Sequence, residues 1–251
     1  MRFNSGLISC FFLASAVLAG SDQSHQLNLL ERSPKVLDSS VWAGARLGDN
    51  DGTFNSVTGI LVAPTLSGDP GSAVAVWMGI DGDGDVVYNN EAVGCQNYFV
   101  CGILSTVTSG GTQHQAFMRW FPHPPLDFPF DITTGDRIQI TFNVYDWMSG
   151  TLIFNNLSRG QSVTKNFKCA SLLCGRLAEW MVGRVAAGGE NLPLANFSRL
   201  LIASASAGAR GGLSFGPAAT TLGITNIYQL TTDHGGVIKP VADSDSVSFD
   251  A

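Results

Sequence analysis

From Val41 onward, apolar residues fall at every second position in short segments that are separated by glycine-rich turns. The pattern predicts strands over Val41–Leu47, Phe54–Ala63, Ala73–Ile80, Gln113–Phe121, Arg137–Tyr145, Thr151–Asn156, Ser162–Phe167, Leu177–Val185, Arg199–Ser204, Ile224–Leu230 and Ser246–Phe249. The clearest is Arg137–Val144, where Ile138, Ile140, Phe142 and Val144 take one face and polar residues the other. No stretch of helical period competes with these segments. Many strands, short turns and no intervening helices imply an antiparallel sandwich, and the pattern runs from 41 to 251 as one domain without a repeat.

The amino end follows other rules. Arg2, the uncharged apolar run Leu7–Leu18 and the small-residue pattern Val17-Leu18-Ala19 read as a signal peptide over 1–19, cleaved after Ala19. Residues 20–40 are polar, contain Pro34 and hold no sustained period, so they read as a short pro-segment or flexible arm. No later run reaches the roughly 18 apolar residues of a membrane span, so the expectation is a secreted, extracellular monomer that does not bind membranes. A formal charge of −6 with few lysines argues against nucleic acid as partner. Only 14% of residues are charged, which leaves acid unfolding few ion pairs to act on and suits an acidic medium.

Secretion sets the expected cysteine chemistry. Cys95, Cys101, Cys169 and Cys174 remain after signal removal, and two disulfides are expected. The economical pairing is Cys95–Cys101 with Cys169–Cys174, although sequence does not choose the connectivity. The histidines are scattered and the cysteines are not spaced as metal ligands, so no metal is expected. Asn156-Leu157-Ser158 and Asn196-Phe197-Ser198 are glycosylation sequons. Gly212-Leu213-Ser214-Phe215-Gly216 matches a nucleophile elbow, but in an all-β pattern followed by Pro217 it reads as a turn. Asp81-Gly82-Asp83-Gly84-Asp85 begins like a calcium loop, yet it lacks the later glycine and glutamate and reads as a tight acidic turn.

One segment sets a carboxylate into an apolar run. In Leu177-Ala178-Glu179-Trp180-Met181-Val182, strand parity puts Glu179 on one face with Leu177 and Met181, and Ala178, Trp180 and Val182 on the other. Burial there disfavours the charged form, which is how an acid-range general acid or base is made. The plain alternative is an edge-strand Glu facing water.

Trp42-Ala43-Gly44, Trp77-Met78-Gly79-Ile80-Asp81-Gly82, Trp120-Phe121-Pro122 and Leu173-Cys174 ahead of Ala178-Glu179-Trp180 together resemble the fungal glutamic peptidases, the eqolisins. The resemblance implies a lectin-like (concanavalin A-like) sandwich of two bent antiparallel sheets, and secreted proteolysis of polypeptides at acid pH without a cofactor. It implies that Glu179 is the general base that activates water. The family's second residue, a Gln that stabilises the oxyanion, falls without a gap on Glu91; one slip gives Asn90, and only an insertion reaches Gln96. A third, acidic position is occupied by Arg119. The same resemblance places Trp77, Asp81, Phe117, Arg119 and Phe121 at the substrate.

Three functions remain open on the sequence. An acid endopeptidase would use Glu179 with Glu91 as an altered partner, the two sharing a proton as paired carboxylates do. A catalytically silent sandwich would bind peptide or glycan on its concave face. A two-carboxylate glycosidase would need Glu91 and Glu179 about 5 to 9.5 Å apart.

Overall fold

The computed structural model describes residues 34–49, 51–82, 87–88, 91–92, 96–127, 129–169, 171–187, 189–219 and 224–250. The first strands are β1 (Lys35–Ser39), β2 (Trp42–Gly48), β3 (Phe54–Val62), β4 (Ala73–Asp81), β5 (Val87–Tyr88), β6 (Glu91–Ala92), β7 (Tyr98–Thr108), β8 (Gly111–Trp120), β9 (Leu126–Asp127) and β10 (Arg137–Val144). They are followed by β11 (Ser149–Asn156), β12 (Gln161–Lys168), β13 (Leu177–Gly183), β14 (Ala186–Ala187), β15 (Glu190–Asn191), β16 (Arg199–Ala209), β17 (Leu213–Phe215), β18 (Ile224–Thr231), β19 (Val237–Ala242) and β20 (Ser246–Asp250). One layer runs β18-β2-β13-β4-β7-β8-β9 and the other β12-β11-β10-β3-β16-β20-β19, joined through the β18–β19 hairpin. Pairing is antiparallel throughout the described sheets except where β1 lies parallel to β18. The architecture is the all-β sandwich that the alternation predicts.

Alternation decides which side chains meet between the layers. Ala43, Ala45 and Leu47 of β2, Val74, Val76, Met78 and Ile80 of β4, and Ala178, Trp180 and Val182 of β13 all join one buried apolar cluster with Phe142, Phe154 and Ile202 of the opposite layer. Phe99 of β7 stacks on Phe142 of β10 at 3.8 Å between ring centroids and on Phe167 of β12 at 5.0 Å. The Trp180 indole N–H, buried in this core, donates to the Thr58 carbonyl of β3 at 3.0 Å. A buried polar tip is thus satisfied across the layers, as a buried Trp requires.

Several elements differ from the sequence reading. β7, eleven residues long, is absent from the expected strands because Tyr98–Leu104 is a continuous apolar run broken by Gly102. The reason is double use: Phe99, Cys101 and Ile103 face the core while Val100 and Leu104 line a cleft on the outer face. β19 carries Pro240 inside a strand, a residue that sequence rules assign to edges and breaks. Lys35–Ser39, within the segment read as an arm, forms β1. Ser214 of the elbow-like motif lies in β17 and pairs with Gly208.

The cysteine expectation is corrected. Cys101 is a buried free thiol and Cys169 is a free thiol, so neither local pair forms; Cys174 is disulfide-bonded. Cys95 lies outside the described residues. Parity explains Cys101, which points into the core with Phe99 and Ile103, where burial pushes its thiol out of the titrating range. Asn156 is corrected too. Its side chain is 1% exposed, its Nδ2 donates to Asp136 Oδ2 at 2.8 Å and to the Asp131 carbonyl, and its Oδ1 accepts from Ser158 N–H. It is a structural amide with no face to offer a glycan, whereas Asn196 is exposed.

On the β7–β8 ladder, His114 Nδ1 pairs with the Ser105 hydroxyl at 2.8 Å and Nε2 with the Thr134 hydroxyl at 2.9 Å. Burial holds this imidazole below its ordinary value of 6.5 against the opposing pull of Asp136. A His with a depressed folded value contributes stability above its unfolded value, and that stability is lost as pH falls through the folded value. His114→Gln removes the titration, so its urea midpoint is expected to fall less than the parent's between neutral pH and about pH 4. Equal falls would show that His114 plays no part in acid sensitivity.

Candidate active site

The outer face of the first layer carries the residues that parity turns away from the core. Arg46 of β2, Glu179 of β13, Trp77 of β4, Tyr98 of β7, and Phe117 and Arg119 of β8 line one cleft of about 570 Å³. The register brings them together: Glu179 sits opposite Arg46 on one side and opposite Gly79 on the other, with Trp77 two residues along β4. Gly79 and Gly102 make room on this face. A Cβ at Gly79 would meet Val100 Cγ1 at 2.7 Å, and one at Gly102 would meet Trp77 Cβ at 2.9 Å.

Glu179 is 4% exposed and not an edge residue facing water. Its Oε2 accepts from Arg46 Nε at 3.0 Å and from Arg46 Nη2 at 2.7 Å, and its Oε1 accepts from the Trp77 indole at 3.0 Å. Arg46, itself 4% exposed, also donates from Nη1 to the Tyr228 hydroxyl at 3.3 Å. The burial expected of Glu179 is therefore present, but the carboxylate has a buried counter-ion. A carboxylate offers about four in-plane acceptor sites. The guanidinium fills both on Oε2 and the indole fills one on Oε1. Among the described residues only the Trp77 indole donates to Oε1.

Arg46 and Tyr228 were not identified from the sequence. The signal was there for Arg46: in Ala45-Arg46-Leu47 a charge sits between apolar neighbours in a strand, the same pattern that singled out Glu179. Tyr98 was missed with the rest of β7. Burial pushes its hydroxyl above the ordinary value, Arg119 pulls it down and Glu179 pushes it up, so Tyr98 feels the charges of both side chains.

The remaining expected site residues divide. Trp77, Phe117 and Arg119 line the cleft with Glu179. Phe121 stacks on Tyr98 at 5.0 Å behind Arg119. Asp81 does not reach the cleft. It is fully buried, and its carboxylate accepts from the backbone N–H groups of Cys174, Gly175, Arg176 and Leu177. Burial pushes this carboxyl up against the pull of those four amides. Its position is therefore an anchor for the chain entering β13 and not a substrate contact. Glu91 is described as backbone only, in the two-strand hairpin of β5 and β6. Asn90 lies outside the described residues, and Gln96 is exposed and absent from the cleft lining.

Removing one member of a buried ion pair leaves the other uncompensated, at a cost of about 3–5 kcal/mol, whereas replacing both by apolar groups is often neutral. Arg46→Leu is expected to lose that amount in urea unfolding, and Arg46→Leu with Glu179→Leu to recover most of it. A loss in the double variant equal to the sum of the losses in Arg46→Leu and Glu179→Leu alone would mean that the pair is not coupled.

Residues 40–248 match the model of the Peptidase A4 family. The chain is 30% identical over 209 residues to aspergillopepsin-2 of Aspergillus niger, a match covering 73% of this chain and 69% of that protein. It is 32% identical over 148 residues to scytalidopepsin B of Scytalidium lignicola, covering 57% and 51% respectively. Among solved structures, scytalido-glutamic peptidase with a peptide-based transition state analog superposes with a TM-score of 0.70 at 27% identity, over 84% of this chain and 98% of that one. Aspergilloglutamic peptidase of Aspergillus niger gives 0.59 at 28% identity, over 71% and 98%. The chain, a sandwich that sets a buried glutamate from an Ala-Glu-Trp strand at the floor of its outer cleft and matches the family model over residues 40–248, belongs to the Peptidase A4 family of glutamic peptidases.

Proposed function

We propose that the chain is a secreted endopeptidase that hydrolyses peptide bonds in acid, with Glu179 as the general base. The observation that carries this reading is Glu179 Oε1, which among the described residues accepts from the Trp77 indole alone, at the floor of a cleft walled by Trp77, Tyr98 and Phe117. A water held there would pass its proton to Oε1 as it attacks the scissile carbonyl. Arg46 and Trp77 keep the carboxylate in one rotamer while this happens, and the apolar walls exclude competing solvent. The scytalido-glutamic peptidase structure holds a peptide-based transition state analog, which supports a polypeptide as substrate here. Both named relatives and both solved structures are peptidases, so no comparison supports the glycosidase or silent-binder readings. Glu91, the ungapped candidate for the family's oxyanion position beside Asn90 and Gln96, is proposed as the partner of Glu179. Asn196 is proposed as a glycosylation site and 1–19 as the signal.

Glu179→Gln cannot accept the proton from water, and turnover is expected to fall by about 100- to 10,000-fold in chains whose circular dichroism matches the parent. Unchanged turnover in a folded variant would exclude Glu179 as the base. Glu91→Gln restores a neutral donor, and kcat is expected to rise or hold, since an ionised carboxylate repels the developing oxyanion. A fall in kcat with a shifted acid limb would instead make Glu91 half of a proton-sharing pair.

A further inference from the structure

Three arginines line the cleft, Arg46, Arg119 and Arg184, in a chain of formal charge −6. Two have carboxylate partners: Arg46 pairs with Glu179 at 2.7 Å, and Arg184 with Asp233 at 2.7 Å. Arg119 is different. Among the described residues no carboxylate comes within 4.0 Å of it. Asp127, on the neighbouring strand β9, also lines the cleft but is exposed at its rim and does not reach the guanidinium. Yet Arg119 is held in place. Its Nε donates to the His123 carbonyl at 3.3 Å, and the guanidinium carbon lies 5.5 Å from the Tyr98 ring centroid and 5.4 Å from that of Phe121. Those two rings are stacked at 12° and form a platform.

A cation stacked on aromatic rings loses side-chain freedom before any ligand arrives, and its remaining N–H groups keep the fork that matches a carboxylate. The other cleft cations are already neutralised, so Arg119 is where the described cleft offers positive charge to a ligand.

We propose that Arg119 is the specificity-determining residue of this cleft and that it selects peptides whose seated segment carries a carboxylate, from an acidic side chain or from a free C-terminus. The proposal rests on the peptidase reading for its kinetic form. The carboxylate lies over the Tyr98–Phe121 platform and accepts N–H groups of the guanidinium that His123 leaves unused. The peptide chain then continues across the cleft toward Glu179.

The test compares amidated peptides that carry Glu or Gln at each position around one cleavage site, at about pH 5, where a Glu side chain is mostly ionised. A separate arm compares the Gln peptide with free and amidated C-termini, which tells the two carboxylate sources apart. At the preferred position the Glu peptide, or the free-carboxylate peptide, is expected to show a kcat/KM roughly five- to tenfold higher, shrinking as salt is added. Arg119→Gln should bring that ratio to about one, Arg119→Lys should retain part of it, and Arg119→Glu should invert it in favour of a Lys peptide. A wild-type ratio near one at every position, or a ratio that survives Arg119→Gln, overturns the proposal. If no peptide is cleaved, the peptidase reading fails instead. Calorimetric titration of the same peptides into the wild-type protein then decides on Arg119, and equal affinities for Glu and Gln peptides reject it.

Discussion

One buried carboxylate fixes the geometry on which the site depends. Asp81 ends β4 in a left-handed conformation, φ 62°, that non-glycine residues adopt at a cost of about 1–3 kcal/mol. From there its two oxygens collect four consecutive backbone N–H groups, those of residues 174 to 177, just where the chain enters β13. Four such bonds to a charged acceptor in the interior outweigh the local strain. They also fix register. A slip of one residue between β4 and β13 would turn Glu179 into the core and Trp180 into the cleft. With Asp81 anchored, Glu179 faces Gly79, the neighbour that leaves it room, and the Trp77 indole reaches its Oε1.

Most of this was legible in the sequence as parity. Alternation in Leu177–Val182 assigned Trp180 to one face and Glu179 to the other, and the structure has Trp180 in the core and Glu179 in the cleft. What alternation cannot supply is which strands become neighbours. Arg46 lies 133 residues from Glu179 along the chain and meets it only because β2 pairs with β13. The same limit explains Asp81, which the family resemblance placed at the substrate, since nothing in a tight Asp-Gly sequence announces that the carboxylate points back at a distant loop. β7 was illegible for another reason. A strand with a core on one side and an apolar cleft wall on the other has no polar face, so its period-two signal disappears.

Pairing with Arg46 changes what the burial of Glu179 means. With a guanidinium on Oε2 the carboxylate has its counter-charge in contact, and both acceptor sites of that oxygen are already occupied. A proton-sharing contact to Glu179 is therefore confined to Oε1, the oxygen at which the proposed water would bind. The ion pair falls on Oε2 and the Trp77 indole on Oε1, so a buried ion pair here is compatible with the proposed role of Oε1.

Charge across the whole chain works against the cleft, and the two effects have different ranges. A net charge of −6 repels anionic peptides at a distance. At an ionic strength of about 0.15 M the screening length is about 8 Å, so carboxylates elsewhere on the surface contribute little inside the cleft, while Arg119 acts at contact distance on its aromatic platform. Acid tilts the balance further. As pH falls toward about 4, surface Asp and Glu side chains take up protons and the long-range repulsion fades, while a peptide C-terminus, which titrates near about 3.5, keeps its charge longer than a Glu side chain does. An acidic medium therefore weakens the repulsion that opposes encounter before it weakens the contact that would hold a carboxylate in place.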